Sequence, residues 1–223
     1  MVIPEKIGIV RLSSTFNGSN SINIAANAPK NITIGGSVFI TNITIVNETM
    51  KPAKEPDNVL SPIDFDNFQT AMLSDNLPWF FCLEVVYPHE FNVNCNELDN
   101  YQLCHLFMRQ GDADDFPIRS DLIELLTPIV KHMNVDGWIR IKANLNPRTS
   151  SIIKHGFHAD YEDKRVKTSI FYVNSNDGYT EFEDGTRIES VANRLVTFPA
   201  YLPHTGTTCT DQSVRIVINF NYF

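Results

Sequence analysis

The chain has 223 residues, of which 43% are hydrophobic, and this composition is typical of one globular domain, alone or with an appendage. The formal net charge of −8 argues against a sequence-independent grip on nucleic acid, because such a grip needs clustered cations. No apolar run of about 18 residues occurs, so the sequence predicts no transmembrane helix.

The N-terminus, MVIPEKIGIVRLSS, lacks the basic start and long apolar stretch of a signal peptide, so we expect a cytoplasmic protein. Without export, cysteines usually stay reduced, and CxxC spacing, which would indicate zinc or redox chemistry, is absent. Free thiols are therefore predicted at Cys82, Cys95, Cys104 and Cys209.

Residues 1–56 form a predicted β-rich extension that differs in composition from the rest of the chain. They contain two aromatic residues and carry two net positive charges, whereas residues 57–223 carry ten net negative charges. The stretch 31–46 alternates β-branched and polar residues around Gly35-Gly36, which predicts a hairpin. The segment 51–58, KPAKEPDN, predicts a linker or turn. We expect the extension to serve packing or interaction.

Two helices are predicted in the first half of the following domain. The first begins at Ser61-Pro62, because serine is a favoured N-cap and proline fits the first helical position. Its buried face would consist of Phe65, Phe68 and Met72. The second helix covers residues 120–133, with apolar side chains at helical spacing, Ser120 as N-cap and Pro128 as a kink.

From Gly137 onward the sequence predicts a succession of short strands. Along 138–145 the side chains alternate, with Arg140, Lys142 and Asn144 on one face. Asp184-Gly185 predicts a tight hairpin turn. Further strands are predicted at residues 167–173, 179–182, 186–191, 194–198 and 215–222. Helices upstream and strands downstream predict an α+β, mainly β fold, with an antiparallel sandwich or barrel supported by helices.

The eight residues HGFHADYE, 155–162, carry the first candidate for chemistry. His158 and Asp160 are two residues apart and would point to one side of an extended strand. Alone, such a pair is typical of a polar loop. His204 follows several strands later, and two histidines plus one carboxylate are the ligands of non-haem Fe(II) oxygenases. That set leaves three metal positions open.

Arg215 is a second unusual feature, because it lies inside the apolar strand VRIVINF. Burying a guanidinium is costly unless an anion meets it, and arginine suits a bidentate grip on a carboxylate. The alternative is an ordinary surface ion pair. The ordered set His158, Asp160, His204 and Arg215 therefore predicts a metal site with an anion-binding residue beside it.

Residues 137–223 resemble the double-stranded β-helix, or jelly-roll, core of the 2-oxoglutarate/Fe(II)-dependent dioxygenases of the prolyl-4-hydroxylase-like kind, which bacteriophages often encode. The segments that carry the resemblance are FHADYEDKRVKTSIFYVNSNDGYTEFEDG, RLVTFPAYLPHTG and VRIVINFNYF, in this order. More loosely, DNFQTAMLSDNLPWFF resembles the upstream helix of the family. The resemblance implies an oxygenase domain over 57–223, with its metal and co-substrate core in 137–223.

The resemblance also implies roles for individual residues. The iron ligands would be His158, Asp160 and His204. Arg215 would bind the distal carboxylate of 2-oxoglutarate, and Tyr172, which shares an inward face with Thr168 and Ile170, would share that carboxylate. Asn144 lies where some members place a polar residue against the co-substrate, with Asn146 as the neighbouring alternative.

The remaining histidines receive structural interpretations. His155 lies three residues before His158 and outside the ligand pattern, so we expect a rim or structural position. Structural or exposed positions are also expected for His89, His105 and His132.

The activity implied by the resemblance is hydroxylation, with Fe(II), 2-oxoglutarate and dioxygen as cofactors and ascorbate as a reductant. The expected substrate is a peptidyl side chain, with proline preferred, so the expected partner is a protein or peptide. Two alternatives stay open: a nucleic-acid-directed dioxygenase, and a non-catalytic jelly-roll module of a viral particle. Residues 1–56 are a candidate docking element for such a particle, which would place the chain in host cytoplasm or virion.

Overall fold

In the computed structural model of the protein, the chain divides into two compact units, Met1–Lys51 and Pro52–Phe223. The structure describes residues 12–13, 21–25, 42–46, 53–83, 85, 100–111, 116–133 and 135–223. In the first unit, a three-stranded sheet consists of β1 (Leu12–Ser13), β2 (Ser21–Ala25) and β3 (Asn42–Val46). Strand β2 pairs antiparallel with β1 and parallel with β3. The hairpin predicted around Gly35-Gly36 lies outside the described residues.

Two antiparallel sheets form the second unit. The larger has eight strands, in the spatial order β4 (Ala53–Asp57), β12 (Arg194–Pro199), β9 (Lys167–Tyr172), β14 (Val214–Tyr222), β8 (Trp138–Pro147), β6 (Gln102–Arg109) and β5 (Phe80–Cys82), with β7 (Ile118–Arg119) also paired to β6. The smaller has the order β11 (Arg187–Glu189), β10 (Tyr179–Phe182) and β13 (His204–Gly206). The predicted α+β, mainly β fold class is confirmed.

The segment interpreted as a linker before residue 57 is instead a strand. Strand β4 pairs with β12 at the edge of the large sheet. The side chain of Asp57 accepts hydrogen bonds from Nε and Nη2 of Arg194 at 2.5 and 2.9 Å, and this ion pair secures the edge. One proline and three charges concealed the strand, because these residues are common on edges and in turns alike.

Helix α1 (Pro62–Met72) begins where the sequence predicts. The hydroxyl of Ser61 accepts a hydrogen bond from the backbone N–H of Asp64 at 3.2 Å, which is the expected N-cap contact. Phe68 and Met72 are buried, and Phe65 is half-buried against Phe171. The helix therefore covers one face of the large sheet.

The second predicted helix is two short pieces, a 3₁₀ turn at Ile123–Leu126 followed by α2 (Thr127–Val130). Pro128 has no N–H to continue the hydrogen-bond ladder from the 3₁₀ turn, so a new helical segment starts there. Ser120 is not the N-cap, because the 3₁₀ turn begins at Ile123 and Leu122 is the residue that precedes it. The Ser120 hydroxyl accepts from the N–H of Leu122 and contacts Nε2 of His105.

Alternation along the central strands separates a core from a cavity. On β14, the side chains of Ile216, Ile218 and Phe220 pack in one cluster with α1 and α2 residues such as Phe68 and Ile129. The intervening positions face the space between the two sheets. A second, smaller cluster lies on that inner side and includes Ile170, Tyr172, Phe182, Phe198 and Val217. The inward orientation predicted for Ile170 and Tyr172 is confirmed.

The hairpin between β10 and β11 matches its prediction. Gly185 has φ +84°, a left-handed conformation that favours glycine, and its N–H donates to the carbonyl oxygen of Phe182 at 2.9 Å. Thr180 and Glu181 then pair with Ile188 and Arg187 across the hairpin.

The prediction of free thiols is wrong for one pair. Cys82 and Cys104 form a disulfide between neighbouring strands β5 and β6, whose antiparallel pairing brings the two Cα atoms to 6.5 Å. Cys209 is buried and free, and Cys95 lies outside the described residues. Among the described helices, none combines the length and apolarity needed to cross a membrane.

Candidate active site

The three predicted ligand side chains meet between the two sheets. His158 forms an isolated β-bridge with His204, the first residue of β13, with His158 N–H donating to the His204 carbonyl at 3.0 Å and the reverse bond at 2.9 Å. Their ring centroids are 4.8 Å apart. One candidate ligand atom from each of His158, Asp160 and His204 lies within 4.8 Å of the other two. The strand parity and the chain order predicted this cluster, and in the structure the three side chains do lie close together.

Backbone carbonyls orient the two imidazoles. Nδ1 of His204 lies 3.0 Å from the carbonyl oxygen of Leu202, and Nδ1 of His158 lies 3.3 Å from that of Gly156. A proton on each Nδ1 leaves Nε2 with its lone pair for a metal. Burial lowers the pKa of His204, so this ring is neutral at pH 7, as a ligand must be.

Asp160 accepts hydrogen bonds at both carboxylate oxygens. Thr168 and Asn221 donate to Oδ2 at 2.7 and 3.0 Å, and Nη2 of Arg140 donates to Oδ1 at 3.0 Å. Burial raises the pKa of Asp160, but attraction to His204, Arg140 and His158 outweighs it and holds the pKa well below its usual range. The carboxylate is therefore ionised at pH 7.

Arg215 marks a second region of the same cavity. Its side chain is 2% exposed, and it donates from Nε to Ser190 Oγ at 2.9 Å and from Nη2 to Thr180 Oγ1 at 3.2 Å. Throughout the described part of the chain, no carboxylate forms an ion pair with Arg215. Hydroxyl groups satisfy some of its donors but leave its charge uncompensated, which favours a bound anion.

The metal-ligand cluster and Arg215 line one cavity of about 360 Å³. Several buried polar atoms in its lining have no hydrogen-bond partner: Oδ1 of Asn144, Nδ2 of Asn146, both ring nitrogens of His155 and Oδ1 of Asn219. An unsatisfied buried donor or acceptor costs about 1–3 kcal/mol, so their grouping indicates a cavity built around a polar occupant. The donor set of the metal cluster suits Fe(II), and the orphaned donors on Asn146 and His155 suit an oxygen-rich co-substrate.

Comparison with solved structures identifies the architecture. A prolyl hydroxylase from Trichoplax adhaerens, in complex with a peptide fragment of hypoxia inducible factor, aligns with a TM-score of 0.50 and 17% identity over 75% of this chain and 81% of that one. The chain has the fold of a prolyl hydroxylase. The expected double-stranded β-helix is thereby confirmed.

Two other solved structures align with lower TM-scores. A 2OG-Fe(II) oxygenase family oxidoreductase from Burkholderia pseudomallei has a TM-score of 0.49 and 12% identity, over 78% of this chain and 85% of that one. A truncated viral collagen prolyl hydroxylase from Paramecium Bursaria Chlorella virus-1 has a TM-score of 0.44 and 15% identity, over 85% and 99%. No protein-family model and no curated protein matches the sequence.

Within this prolyl-hydroxylase fold, the predicted co-substrate residues differ in their access to the cavity. Asn144 and Asn146 both line it. Tyr172 is fully buried and does not line it; its hydroxyl donates to Thr180 Oγ1 at 2.9 Å, and Thr180 lines the cavity beside Arg215. The guanidinium carbon of Arg215 lies 5.8 Å from the centroid of the Tyr172 ring. Any influence of Tyr172 on a bound molecule is therefore indirect, through Thr180 and Arg215.

The expectation that His155 lies at the rim is wrong. His155 is 2% exposed and lines the cavity. Two β-bridges, Lys154↔Thr207 and His158↔His204, pair the segments 154–158 and 204–207. From one bridge to the next, the segment 154–158 advances four positions and the segment 204–207 advances three, so the first segment contains one extra residue. Such a bulge shifts the alternation and lets two histidines three positions apart face the same side. Burial, then Arg215 and His158, lower the pKa of His155 to about 4, so its ring is neutral at pH 7.

The other predicted histidines are accounted for where the structure describes them. His105 is buried and contacts the carbonyl oxygen of Pro78 and the hydroxyl of Ser120, and His132 is exposed, so both expectations are confirmed. His89 lies outside the described residues.

Four further residues of the site were not predicted as functional: Arg140, Lys142, Thr168 and Asn221. The alternation of β8 put Arg140, Lys142 and Asn144 on one face, and the same parity on β14 relates Asn221 to Arg215. That parity was the available signal. Lys142 lines the cavity, and burial and the nearby charge of Arg140 lower its pKa to about 8 despite the attraction of Asp160, so it stays largely charged at pH 7.

Proposed function

We propose that the protein is an Fe(II)- and 2-oxoglutarate-dependent dioxygenase that hydroxylates a peptidyl side chain, with proline the preferred residue. The observation that carries this proposal is the shared cavity, which has the His158–Asp160–His204 cluster and the buried cation Arg215 in its lining. A metal-binding module without turnover needs no second anion-binding residue.

The metal ligands in this proposal are Nε2 of His158, a carboxylate oxygen of Asp160 and Nε2 of His204. Bound Fe(II) would supply positions at which 2-oxoglutarate and dioxygen react, while the protein fixes geometry and excludes water. In the balanced reaction, one oxygen atom of dioxygen enters a substrate C–H bond and the other enters succinate. Carbon dioxide leaves from 2-oxoglutarate, which is the two-electron reductant.

The co-substrate position follows from charge and hydrogen-bonding capacity. Arg215 is the buried cation for the distal carboxylate, and the hydroxyl of Thr180 lies beside it. Nδ2 of Asn146 and a ring N–H of His155 offer unpaired donors of the kind that the remaining oxygens require, and Asn144 lines the cavity beside them. These neutral side chains bind without adding charge near the metal.

The proposal of a peptide substrate is based on one solved structure and on the net charge of the chain. The Trichoplax adhaerens prolyl hydroxylase is in complex with a peptide fragment, and its fold is that of this chain. The net charge of −8 argues against a nucleic-acid substrate. Residues 1–56 remain, in this proposal, an extension that docks to an assembly partner.

The test is succinate formation by the purified full chain with Fe(II), 2-oxoglutarate, oxygen and ascorbate, together with calorimetric titration of Mn(II) and then 2-oxoglutarate. We expect Arg215→Ala to weaken 2-oxoglutarate binding at least thirtyfold, since truncating one partner of a buried charge pair costs about 2–5 kcal/mol. Its Mn(II) affinity should change far less. Arg165→Ala is the control, because Arg165 is exposed and pairs with Asp163 away from the cavity. Absence of both succinate and 2-oxoglutarate binding in the wild type would refute the proposal.

A further inference from the structure

The charge of the cavity is opposite to that of the chain. Its lining contains three cationic side chains, Arg140, Lys142 and Arg215, against the single carboxylate of Asp160, whereas the whole chain has a net charge of −8. With neutral histidines, two net positive charges remain. A divalent metal adds two positive charges, and 2-oxoglutarate removes two. The loaded cavity would therefore still carry an excess of positive charge.

One charge of this positive excess is the ammonium of Lys142. Arg140 is committed, because it donates to Asp160 and to Asn221. Arg215 is the anchor for the distal carboxylate of 2-oxoglutarate. Lys142 lines the cavity, and within the described residues no acidic side chain forms an ion pair with it. A half-buried ammonium without a counter-ion is costly, so its presence here needs an explanation.

Strand register separates Lys142 from the Arg215 anchor. On the paired strands β14 and β8, Arg215 lies opposite Asn146, and Asn219 lies opposite Lys142. The two cations are thus four residues apart along the sheet, or about 13 Å at about 3.3 Å per residue. The two carboxylates of 2-oxoglutarate are separated by three carbons, about the span of two extended residues, or about 7 Å. A 2-oxoglutarate molecule bound to Arg215 is therefore too short to extend along the sheet to the backbone of Lys142.

Asn219 supports a second binding region at this position. It is the cross-strand neighbour of Lys142, it lines the cavity, and its Oδ1 is buried without a partner. Paired residues on neighbouring strands have adjacent side chains. The ammonium of Lys142 and the amide of Asn219 therefore flank one part of the cavity, with a donor and an unsatisfied acceptor side by side.

We propose that the ammonium of Lys142 binds a carboxylate group of the prime substrate and that Oδ1 of Asn219 accepts a hydrogen bond from a substrate N–H. The prime substrate is therefore an acidic peptide segment with Asp or Glu at or beside the hydroxylated residue. This inference rests on the proposed function. A single ammonium inside a cavity matches one carboxylate. A nucleic-acid backbone would instead require several exposed cations along a surface, which the acidic composition does not favour.

The experiment compares two pools of capped pentapeptides, randomised at all positions but one. That position is Glu or Asp in the first pool and Gln or Asn in the second, so the pools differ only in charge. Succinate formation above the peptide-free rate is measured for the holoenzyme with Fe(II) and 2-oxoglutarate. We expect the acidic pool to give at least tenfold greater stimulation than the neutral pool.

Variants of Lys142 test whether this side chain causes the preference for the acidic pool. Lys142→Met keeps the length of the side chain without its charge and should abolish the difference between pools, whereas Lys142→Arg should retain it. Lys167→Met is the matched control, because Lys167 is exposed on β9 outside the cavity, and it should behave as wild type.

Several outcomes would overturn the inference while leaving the oxygenase proposal intact. They are equal stimulation by both pools, no stimulation by either, stimulation by single-stranded DNA instead, and a loss of 2-oxoglutarate affinity in Lys142→Met as large as in Arg215→Ala. The last result would assign Lys142 to the co-substrate. Failure of the oxygenase proposal looks different, because the wild type would then neither bind 2-oxoglutarate nor form succinate without peptide.

Discussion

Arg140 and Asp160 form an ion pair at the edge of the candidate metal cluster, with Nη2 of Arg140 3.0 Å from Oδ1 of Asp160. The same guanidinium donates from Nε to Oδ1 of Asn221 at 3.0 Å, and Asn221 donates to Oδ2 of Asp160 at 3.0 Å. Arg140 thus fixes the carboxylate both directly and through Asn221. It is a positioning residue, because it orients a ligand without being one.

Loss of this support should weaken metal binding. Outer-shell partners of metal ligands typically contribute 10–100-fold in affinity, so we expect Arg140→Met to raise the Kd for Mn(II) by about that factor in calorimetric titration. Arg140→Lys should recover part of the loss, because it keeps the charge. Arg165→Met, an exposed arginine, should leave the Kd unchanged. An unaltered Kd in Arg140→Met would show that Thr168 and Asn221 suffice to orient Asp160.

The second prediction concerns the ligand farthest along the chain from Asp160. We expect His204→Ala to reduce Mn(II) affinity at least a hundredfold, because one of three protein ligands is removed from a buried site. His132→Ala is the control, since His132 is an exposed histidine outside the cluster. Tight Mn(II) binding by His204→Ala would mean that another residue, with His155 the nearest candidate in the cavity lining, completes the site.

Local patterns accounted for much of this site. The alternation of strands put Arg140, Lys142 and Asn144 on one face of β8 and predicted the inward face of β9, and Ser61-Pro62 predicted the start of α1. These features depend on neighbours within a few positions, which sequence displays directly. The Asp160 contacts with Arg140, Thr168 and Asn221 join three strands, and no short-range pattern specifies them.

The incorrect predictions have specific physical causes. His155 was misplaced because a bulge opposite β13 changes the alternation by one residue, and bulges have no reliable sequence pattern of their own. The strand β4 was missed because its proline and its three charged residues are also typical of a linker. The Cys82–Cys104 pair depends on the register between β5 and β6, which cysteine spacing along the chain does not reveal.

Gly178 provides a third prediction, because it supports Arg215 without contacting the metal cluster. A Cβ at this position would lie 2.6 Å from Cδ of Arg215 and 2.6 Å from the backbone oxygen of Thr208. Both distances are shorter than real Cβ atoms show, so the Arg215 side chain and the backbone at Gly178 or Thr208 would have to shift. We expect Gly178→Ala to weaken 2-oxoglutarate binding at least tenfold and to change Mn(II) affinity less than twofold, both measured by calorimetry.

The control for this variant is Gly137→Ala, since a Cβ there would meet only Phe223, at an ordinary 3.8 Å. It should bind metal and co-substrate as the wild type does. If Gly178→Ala kept full 2-oxoglutarate affinity, the position of the Arg215 guanidinium would not limit binding, and the role assigned to it in the distal-carboxylate site would be contradicted.

The last prediction concerns the pH dependence of stability, through His155. Burial, followed by Arg215 and His158, lowers its pKa from 6.5 to about 4 in the folded protein. Between these values the unfolded chain binds more protons than the folded one, so the free energy of unfolding rises with pH. The stabilisation is complete above about pH 6.5 and is lost as the pH falls towards 4.

The size of this effect follows from about 1.4 kcal/mol for each unit of pKa difference, which gives up to about 3 kcal/mol for His155. We expect His155→Asn to reduce the pH dependence of unfolding by about that amount between pH 6.5 and 4. The measurement is urea unfolding of metal-free protein at several pH values in this range, with His132→Asn as the exposed control. Because His204 is also buried and neutral, some dependence of the same sign should persist in His155→Asn. An unchanged slope in that variant would mean that the His155 ring is protonated, or reaches water, in the folded state.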